Sequence, residues 1–231
     1  MSIRTFLVIG LICAATGLTA GVLYPSATAS SAPKTAQQSA DLQARRDAAR
    51  KVRLDLPPGP TAWVPVIAEI RVVDHGRIHF ERFFRRGDGS VRMEARSPVS
   101  NQLAITIHNF EDGLSYTMRD DDGWASFPVL SSMIAPPPRQ PRVPDRAEFS
   151  PVTEALEGIA VVEYHLGTTR KLLAPQLNYL ELLTEEHHGA RQRQFFNIEL
   201  AAPPDTLFRP EPGASIRQAT SLKDFTQGRS R

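Results

Sequence analysis

The sequence predicts a mainly β protein with minor α structure, in which about nine or ten antiparallel strands are joined by tight turns. Three observations predict it. Apolar and polar residues alternate with period two along many short runs, which places one set on each face of a strand. Asp-Gly and Gly-Asp-Gly turns recur about every ten residues, the spacing of hairpins. The 231 residues also include 19 Pro and 14 Gly, which many short strands joined by turns would use.

The chain begins with the three parts of a signal peptide. Arg4 is positive, residues 5–23 carry no charge, and Ala27-Thr28-Ala29 fits a cleavage pattern. Residues 1–29 are therefore a signal peptide cleaved after Ala29, or an uncleaved anchor, since nineteen uncharged residues can nearly span a bilayer. Either alternative predicts an exported protein, periplasmic or attached to the outer face of the inner membrane.

The only cysteine of the chain, Cys13, lies within this leader. Cleavage would leave a mature protein without a thiol. Disulfides, a thiolate nucleophile and Cys-based zinc sites are then excluded.

Residues 30–60 are interpreted as a linker with a short helix. Ser, Ala, Thr and Gln dominate residues 26–40, and good helix formers fill residues 41–53. The helix is basic, so it could be a solvated helix at the edge of the domain or could contact anionic headgroups. A Pro-Pro-Gly-Pro sequence at residues 57–60 ends it.

The β domain is predicted over residues 61–213. A Pro-rich loop over residues 128–158 interrupts it, and residues 214–231 are predicted to form a flexible tail. The predicted strands cover residues 62–73, 77–86, 90–97, 103–109, 114–119, 124–127, 158–167, 170–174, 179–185 and 191–200.

Motifs for chemistry are missing from the sequence, so we predict no enzyme, no catalytic residue, no metal and no cofactor. The six His do not have metal-ligand spacing, and three adjacent Asp at 120–122 fit a solvated turn better than a calcium loop. A net charge of +2 gives no reason to expect nucleic acid as a partner. Arg and Phe interleave over residues 77–86, but cross-strand pairing with Glu81 and Glu94 explains those arginines more simply than base stacking.

Four short segments resemble a group of uncharacterised exported bacterial proteins. These segments are RFFRRGDGSVRME at residues 82–94, APQLN at 174–178, NIEL at 197–200 and PDTLF at 204–208. Ala202-Pro203 departs from the acidic residue and Pro usual in the group, and the mid-segment signature is reduced to Gly167-Thr168-Thr169-Arg170. More distantly, the layout resembles the lipoprotein-carrier superfamily (LolA- and RseB-like). That resemblance implies a single curved antiparallel sheet, a half-barrel around an apolar concavity, an envelope location and an apolar ligand; it transfers no catalytic residue.

Three functions remain open from the sequence. The first is non-enzymatic binding of an apolar ligand or lipoprotein on one sheet face; the alternative for that face is simple packing beneath the 128–158 loop. The second is a membrane-tethered sensor or interaction domain that engages an envelope protein, with membrane contact only through the N-terminal segment. A hydrolase has the least support. The residues predicted to line the ligand are Phe80, Phe84, Val91, Met93, Leu103, Ile105, Ile107, Leu114, Tyr116 and Met118.

Overall fold

The computed structural model describes residues 56–119, 123–141, 143–144 and 147–227, and five residues between 40 and 47; of residues 151–154 it describes the backbone alone. The predicted leader with Cys13, most of the linker, the turn at residues 120–122 and residues 228–231 lie outside the described residues. The five residues near the N-terminus are helical, which agrees with the short helix predicted there. Within the part of the chain that is described, no helix is long and apolar enough to cross a membrane.

Twelve strands form one open, curved sheet. The spatial order is β12-β6-β5-β4-β3-β2-β1-β11-β10-β9-β8-β7. Neighbouring strands are antiparallel except β12 and β6, which are parallel. The strands are β1 (Val66–Asp74), β2 (Arg77–Arg85), β3 (Val91–Arg96), β4 (Leu103–Asn109), β5 (Leu114–Arg119), β6 (Gly123–Pro128), β7 (Glu148–Leu156), β8 (Ile159–Leu166), β9 (Thr169–Ala174), β10 (Leu180–Glu186), β11 (Arg191–Glu199) and β12 (Ile216–Gln218).

The predicted fold class is confirmed, and each of the ten predicted strands is present. The two further strands, β7 and β12, lie where the sequence predicts a Pro-rich loop and a flexible tail. β7 contains Pro151, but it is an edge strand with a register shift between Phe149 and Thr153, and edges and bulges tolerate proline. The Pro-rich loop is therefore shorter than predicted and ends where β7 begins.

Tight two-residue turns join neighbouring strands of the sheet. His75 (φ 49°) and Gly76 (φ 80°) join β1 to β2. Glu157 (φ 53°) and Gly158 (φ 75°) join β7 to β8 in the same way. Two residues of positive φ form the type I′ turn, whose twist matches that of the strands it connects.

The strand register divides the side chains of β1 to β6 between two faces. The core face carries Ile70, Phe83 and Phe195, which are buried in the largest apolar cluster together with residues of β8, β9 and β10. The opposite face, which we name the strap face, carries Phe84, Ile107 and their neighbours.

The segment that enters the sheet is fastened by one asparagine. Asn178 is buried and adopts the left-handed conformation (φ 58°, ψ 41°). Its side-chain amide donates to the carbonyls of Pro60 (3.1 Å) and Ala62 (3.0 Å), and its oxygen accepts from the backbone N–H of Val64 (2.9 Å). Arg85 adds a hydrogen bond to the Val64 carbonyl (2.9 Å). These bonds fix residues 60–64 at the start of the domain.

The C-terminal part of the chain returns to the sheet on both faces. Residues 204–214, which we name the strap, include the 3-10 turn Asp205–Phe208 and lie on the strap face. β12 then pairs with β6, and helix α1 (Leu222–Gln227) places Phe225 against Ala125 and Phe127 on the core face. The described part of the predicted flexible tail is thus held by a strand pairing and a buried aromatic ring.

Candidate functional site

Eight of the ten residues predicted to line a ligand share the strap face, and two do not. The register pairs Phe84 with Arg92 and Phe83 with Met93, so β3 turns Met93 and Val91 to the core face. Met93 is buried in the core cluster there, and Val91 packs against that cluster. The sequence shows which residues of β3 alternate but not which set faces Phe84, because one residue of register exchanges the faces.

Seven of the eight residues on the strap face form one apolar cluster beneath the strap. Phe84, Ile105, Ile107 and Tyr116 are buried in it, and Leu103, Leu114 and Met118 pack against it. Phe208 of the strap is 0% exposed in the same cluster, and Leu207 packs beside it. The strap, and not the Pro-rich loop, therefore covers this face; the loop buries Val143 and Ala147 against β8 and β9.

Hydrogen bonds from the sheet hold the strap backbone in place. Arg92 donates to the Leu207 carbonyl (2.8 Å), and the Asn109 side chain donates to the Phe208 carbonyl (3.1 Å). The Trp124 indole N–H donates to the Glu211 carboxylate (3.0 Å). The carbonyls of Leu207 and Phe208, which lie beside the apolar cluster, are thus hydrogen-bonded, as buried polar groups generally are.

An ion cluster joins the strap to two hairpin turns. Arg86 lies close to Asp88 (2.5 Å), Glu111 (3.1 Å) and Asp205 (3.2 Å). The hydrogen bond with Asp88 is the main cause that raises the pKa of Arg86. Burial alone would raise the pKa of Asp88, but hydrogen bonds from Arg86 and Ser90 lower it to about 2. Arg86 and Asp88 therefore stay charged in neutral and mildly acidic solution.

A second ion pair fixes the other end of the 3-10 turn. Arg209 donates to both carboxylate oxygens of Asp112, at 3.0 and 2.7 Å. The Arg209 side chain is 55% exposed. Solvent screens such pairs, so they position the strap more than they stabilise it.

Sequence reasoning missed this fastening, although two of the quoted motifs contain it. Arg86 and Arg92 belong to the segment 82–94, and Asp205 and Leu207 belong to the segment 204–208. These two segments are far apart in sequence and contact each other in the fold. Their pairing was the signal that could have indicated a strap.

The eighth residue, Phe80, lies on the strap face but beyond the strap. It is 58% exposed, and its ring contacts Phe196 edge-to-face at 5.8 Å. Ile78, the next residue of β2 on this face, is 52% exposed. We name this region the open patch. It consists of Ile78, Phe80 and Phe196 with the exposed arginines Arg71, Arg82 and Arg96 around them.

Many titratable side chains of the described residues form ion pairs with a neighbour of opposite charge. Glu163 accepts from Arg170 (3.1 Å) and contacts His165 (2.6 Å), and the Arg170 bond is the main cause that lowers its pKa. Burial lowers the pKa of His108 to about 4, and its ring nitrogen lies 2.8 Å from the Ser115 hydroxyl. No group of three or more His, Cys, Asp or Glu side chains suited to a metal ion occurs among the described residues.

Comparison with known proteins finds likeness only among solved structures. No family model matches the chain, and no curated protein matches it. An uncharacterised conserved protein from Thermus thermophilus is 10% identical over 77% of this chain and 99% of its own, with a TM-score of 0.45. MucB is 14% identical over 80% of this chain and 67% of its own (TM-score 0.40). The MucA/MucB complex of Pseudomonas aeruginosa gives 15% identity over 78% of this chain and 63% of that chain (TM-score 0.39).

MucB is an RseB-like protein of the lipoprotein-carrier superfamily, the group that the sequence resembles. The likeness between the two proteins is one of fold alone.

Proposed function

We propose that the protein is a non-enzymatic protein of the cell envelope that holds an apolar ligand, an acyl chain of a lipid or lipoprotein, on the strap face in place of the strap. One observation carries the proposal. The apolar cluster of that face is covered by Leu207 and Phe208 of a segment whose ion pairs each have one exposed partner, Asp205 and Arg209. Such a cover can be exchanged for another apolar occupant without unfolding the sheet.

The energy of the exchange is within reach of an acyl chain. Removing a buried Phe side chain typically costs about 3–5 kcal/mol. Each methylene that leaves water returns about 0.8 kcal/mol, so roughly five methylenes balance the loss of Phe208. A longer acyl chain would bind with net gain, before the costs of ordering it are subtracted.

The envelope location and the lack of catalysis have separate support. The uncharged segment of residues 5–23 supports export. The carboxyl groups of Asp88 and Glu163 have lowered pKa values with arginine partners. Structural ion pairs lower carboxyl pKa values in this way, whereas a carboxyl that acts as a general acid needs a raised pKa.

The proposal is tested by removing the internal occupant. We expect Phe208→Ala to increase the affinity of the protein for a fluorescent fatty acid at least tenfold. Phe195→Ala is the matched control, because Phe195 is 1% exposed in the other cluster and leaves a comparable cavity there. Mass spectrometry of the wild-type protein isolated from its envelope should show a co-purifying lipid. Equal fatty-acid affinities for both folded variants, with no lipid on the wild type, would contradict the proposal.

The second candidate is an interaction domain for an envelope protein. The observation that favours it is the Pro-rich loop, where Leu130 is 38% exposed, Ile134 is 55% exposed and Arg139 is exposed. A photo-crosslinker at Ile134 in intact cells should then capture one protein, and the exposed Gln176 should capture none. N-terminal sequencing of the product separates a tethered form from a released one.

A further inference from the structure

We infer that the open patch docks the domain on an anionic membrane surface, a contact additional to the N-terminal membrane contact predicted from the sequence. Exposed apolar side chains of this size, grouped on one face, are typical of an interaction site. The chemistry of the patch and the sequence that precedes the domain both favour a lipid surface as its occupant.

The geometry places arginines on each side of the exposed ring. Arg71 lies directly opposite Phe80 on β1. On the other side of Phe80 lies Arg96 of β3. Glu81 pairs with Ala95 in antiparallel register, so the next position along each strand brings Arg96 beside Phe80. An aromatic ring between cations matches the boundary between acyl chains and anionic headgroups.

The charges of this region favour an anionic partner. The exposed arginines Arg71, Arg82 and Arg96 share this face with the glutamates Glu69 and Glu94. The Glu94 carboxylate forms ion pairs with Arg82 (3.3 Å) and Arg92 (2.8 Å). The Glu69 carboxylate accepts a hydrogen bond from the Asn197 side-chain amide (2.8 Å). Arg71 and Arg96 are exposed, and Arg96 donates to the Asn101 carbonyl at 3.3 Å. These two arginines have no carboxylate within ion-pair distance among the described residues and can meet phosphate groups.

The chain itself supplies a reason for the domain to lie near a membrane. Residues 5–23 carry no charge, and residues 41–53 contain five basic and two acidic residues. If the leader is retained, a membrane anchor precedes the domain by a few dozen residues, and the basic segment lies between the two. The open patch then has an anionic surface within reach of its tether.

Docking through the patch would also orient the strap. Phe80 and Phe84 lie four residues apart on one strand, about 13 Å at the rise of an extended chain. Phe84 is covered by the strap, whereas Phe80 is exposed. The patch would therefore bring the edge of the strap to the lipid surface.

The test reports the patch separately from the leader, using the full chain. A Cys13→Ser chain carries an environment-sensitive fluorophore at Ile78→Cys, with Gln176→Cys as the control position. Leader insertion anchors the chain to phosphatidylcholine vesicles and to vesicles that also contain phosphatidylglycerol. We expect a blue shift at position 78 only with phosphatidylglycerol, lost in 1 M salt, where the Debye length is about 3 Å, and no shift at position 176.

Charge variants complete the test. Each of Arg71→Gln and Arg96→Gln should lower the docking equilibrium about fivefold, the factor that about 1 kcal/mol per basic residue near an anionic surface gives. Arg77→Gln removes the same charge from the opposite face of β2 and should change it less than twofold.

Four results would overturn the inference: no shift, an equal shift on phosphatidylcholine alone, an equal shift at position 176, or an equal loss with Arg77→Gln. Among them, no shift on vesicles together with crosslinking of position 78 to a protein in cells assigns the patch to a protein partner. The Phe208→Ala experiment can fail while this one succeeds, since it concerns the covered cluster and not the open patch.

Discussion

Asn178→Asp is the substitution whose effect on stability the structure specifies most closely. The change is isosteric, and Asp also tolerates the left-handed conformation that residue 178 adopts (φ 58°). The carboxylate can still accept from the Val64 N–H. The two N–H groups that now donate to Pro60 and Ala62, at 3.1 and 3.0 Å, are replaced by an oxygen that faces two carbonyls.

The magnitude follows from these contacts. Two lost hydrogen bonds cost about 2 kcal/mol at about 1 kcal/mol each. A buried carboxyl that faces carbonyl oxygens has a raised pKa, and a rise of about two units adds about 2.7 kcal/mol at pH 7. We therefore expect Asn178→Asp to lower the free energy of unfolding by about 4–5 kcal/mol at pH 7. At low pH the protonated carboxyl regains a donor, so the difference from wild type should shrink.

The assay is urea unfolding of wild type, Asn178→Asp and Asn178→Ala between pH 7 and pH 4. The folded-state pKa of the new carboxyl is raised, so its destabilisation is present above that pKa and declines as the pH falls through it. Asn178→Ala introduces no charge, so its difference from wild type should not depend on pH. A constant difference for Asn178→Asp, or one below about 1 kcal/mol at pH 7, would refute the assigned hydrogen bonds of Asn178.

Three further predictions concern other fastening points. Burial lowers the pKa of His108 to about 4, whereas the pKa in the unfolded chain is near 6.5. The free energy of unfolding should therefore decrease as the pH falls from about 6.5 towards 4, by at most about 3 kcal/mol because the side chain keeps some exposure. The free energy of unfolding of His108→Gln should depend less on pH over this range. Gly89→Ala should lower the free energy of unfolding by about 2 kcal/mol or more, since φ is +88° and the added Cβ would come within 2.5 Å of the Trp63 indole nitrogen. Gly113→Ala is the control, because Gly113 has φ +67° but open space around it. Thermal unfolding should show a loss of only about 1 kcal/mol for this variant. Arg209→Gln should accelerate amide hydrogen exchange in the strap while exchange in β1 stays unchanged, and equal acceleration in both would show that the ion pair with Asp112 stabilises the whole sheet.

The sequence predicts local structure well where a residue pattern favours a single conformation, as glycine-containing turns and period-two strands do. The Asp-His-Gly and Gly-Asp-Gly turns and the period-two runs place ten strands, and all ten occur. The face on which most of the predicted lining residues lie follows for the same reason. Alternation in β4 and β5 assigns Ile105, Ile107 and Tyr116 to one face, and the structure buries them together.

Pairing between distant segments is what local patterns do not contain. Val91 and Met93 alternate as predicted, but the register of β2 and β3 turns them to the other face. The strap and β12 are short and Pro-flanked, and their stability comes from Phe208, Phe225 and backbone pairing with distant strands. Tertiary contacts of this kind override weak local propensity.

The location of the strap changes how the apolar face is understood. A face that looks like a ligand surface in sequence is also what a sheet needs in order to bury its own C-terminal segment, and composition does not separate the two uses. The distinguishing feature is the way in which the cover is held. Phe195 on the core face is enclosed by strands of the sheet, whereas Phe208 is carried by a 3-10 turn whose two ion pairs each have one exposed partner, Asp205 (84% exposed) and Arg209 (55% exposed). Because partly exposed pairs contribute little to stability, we expect the cover of the strap face to open at a lower free energy than the core face does, and this expectation makes the strap face the place to look for a ligand.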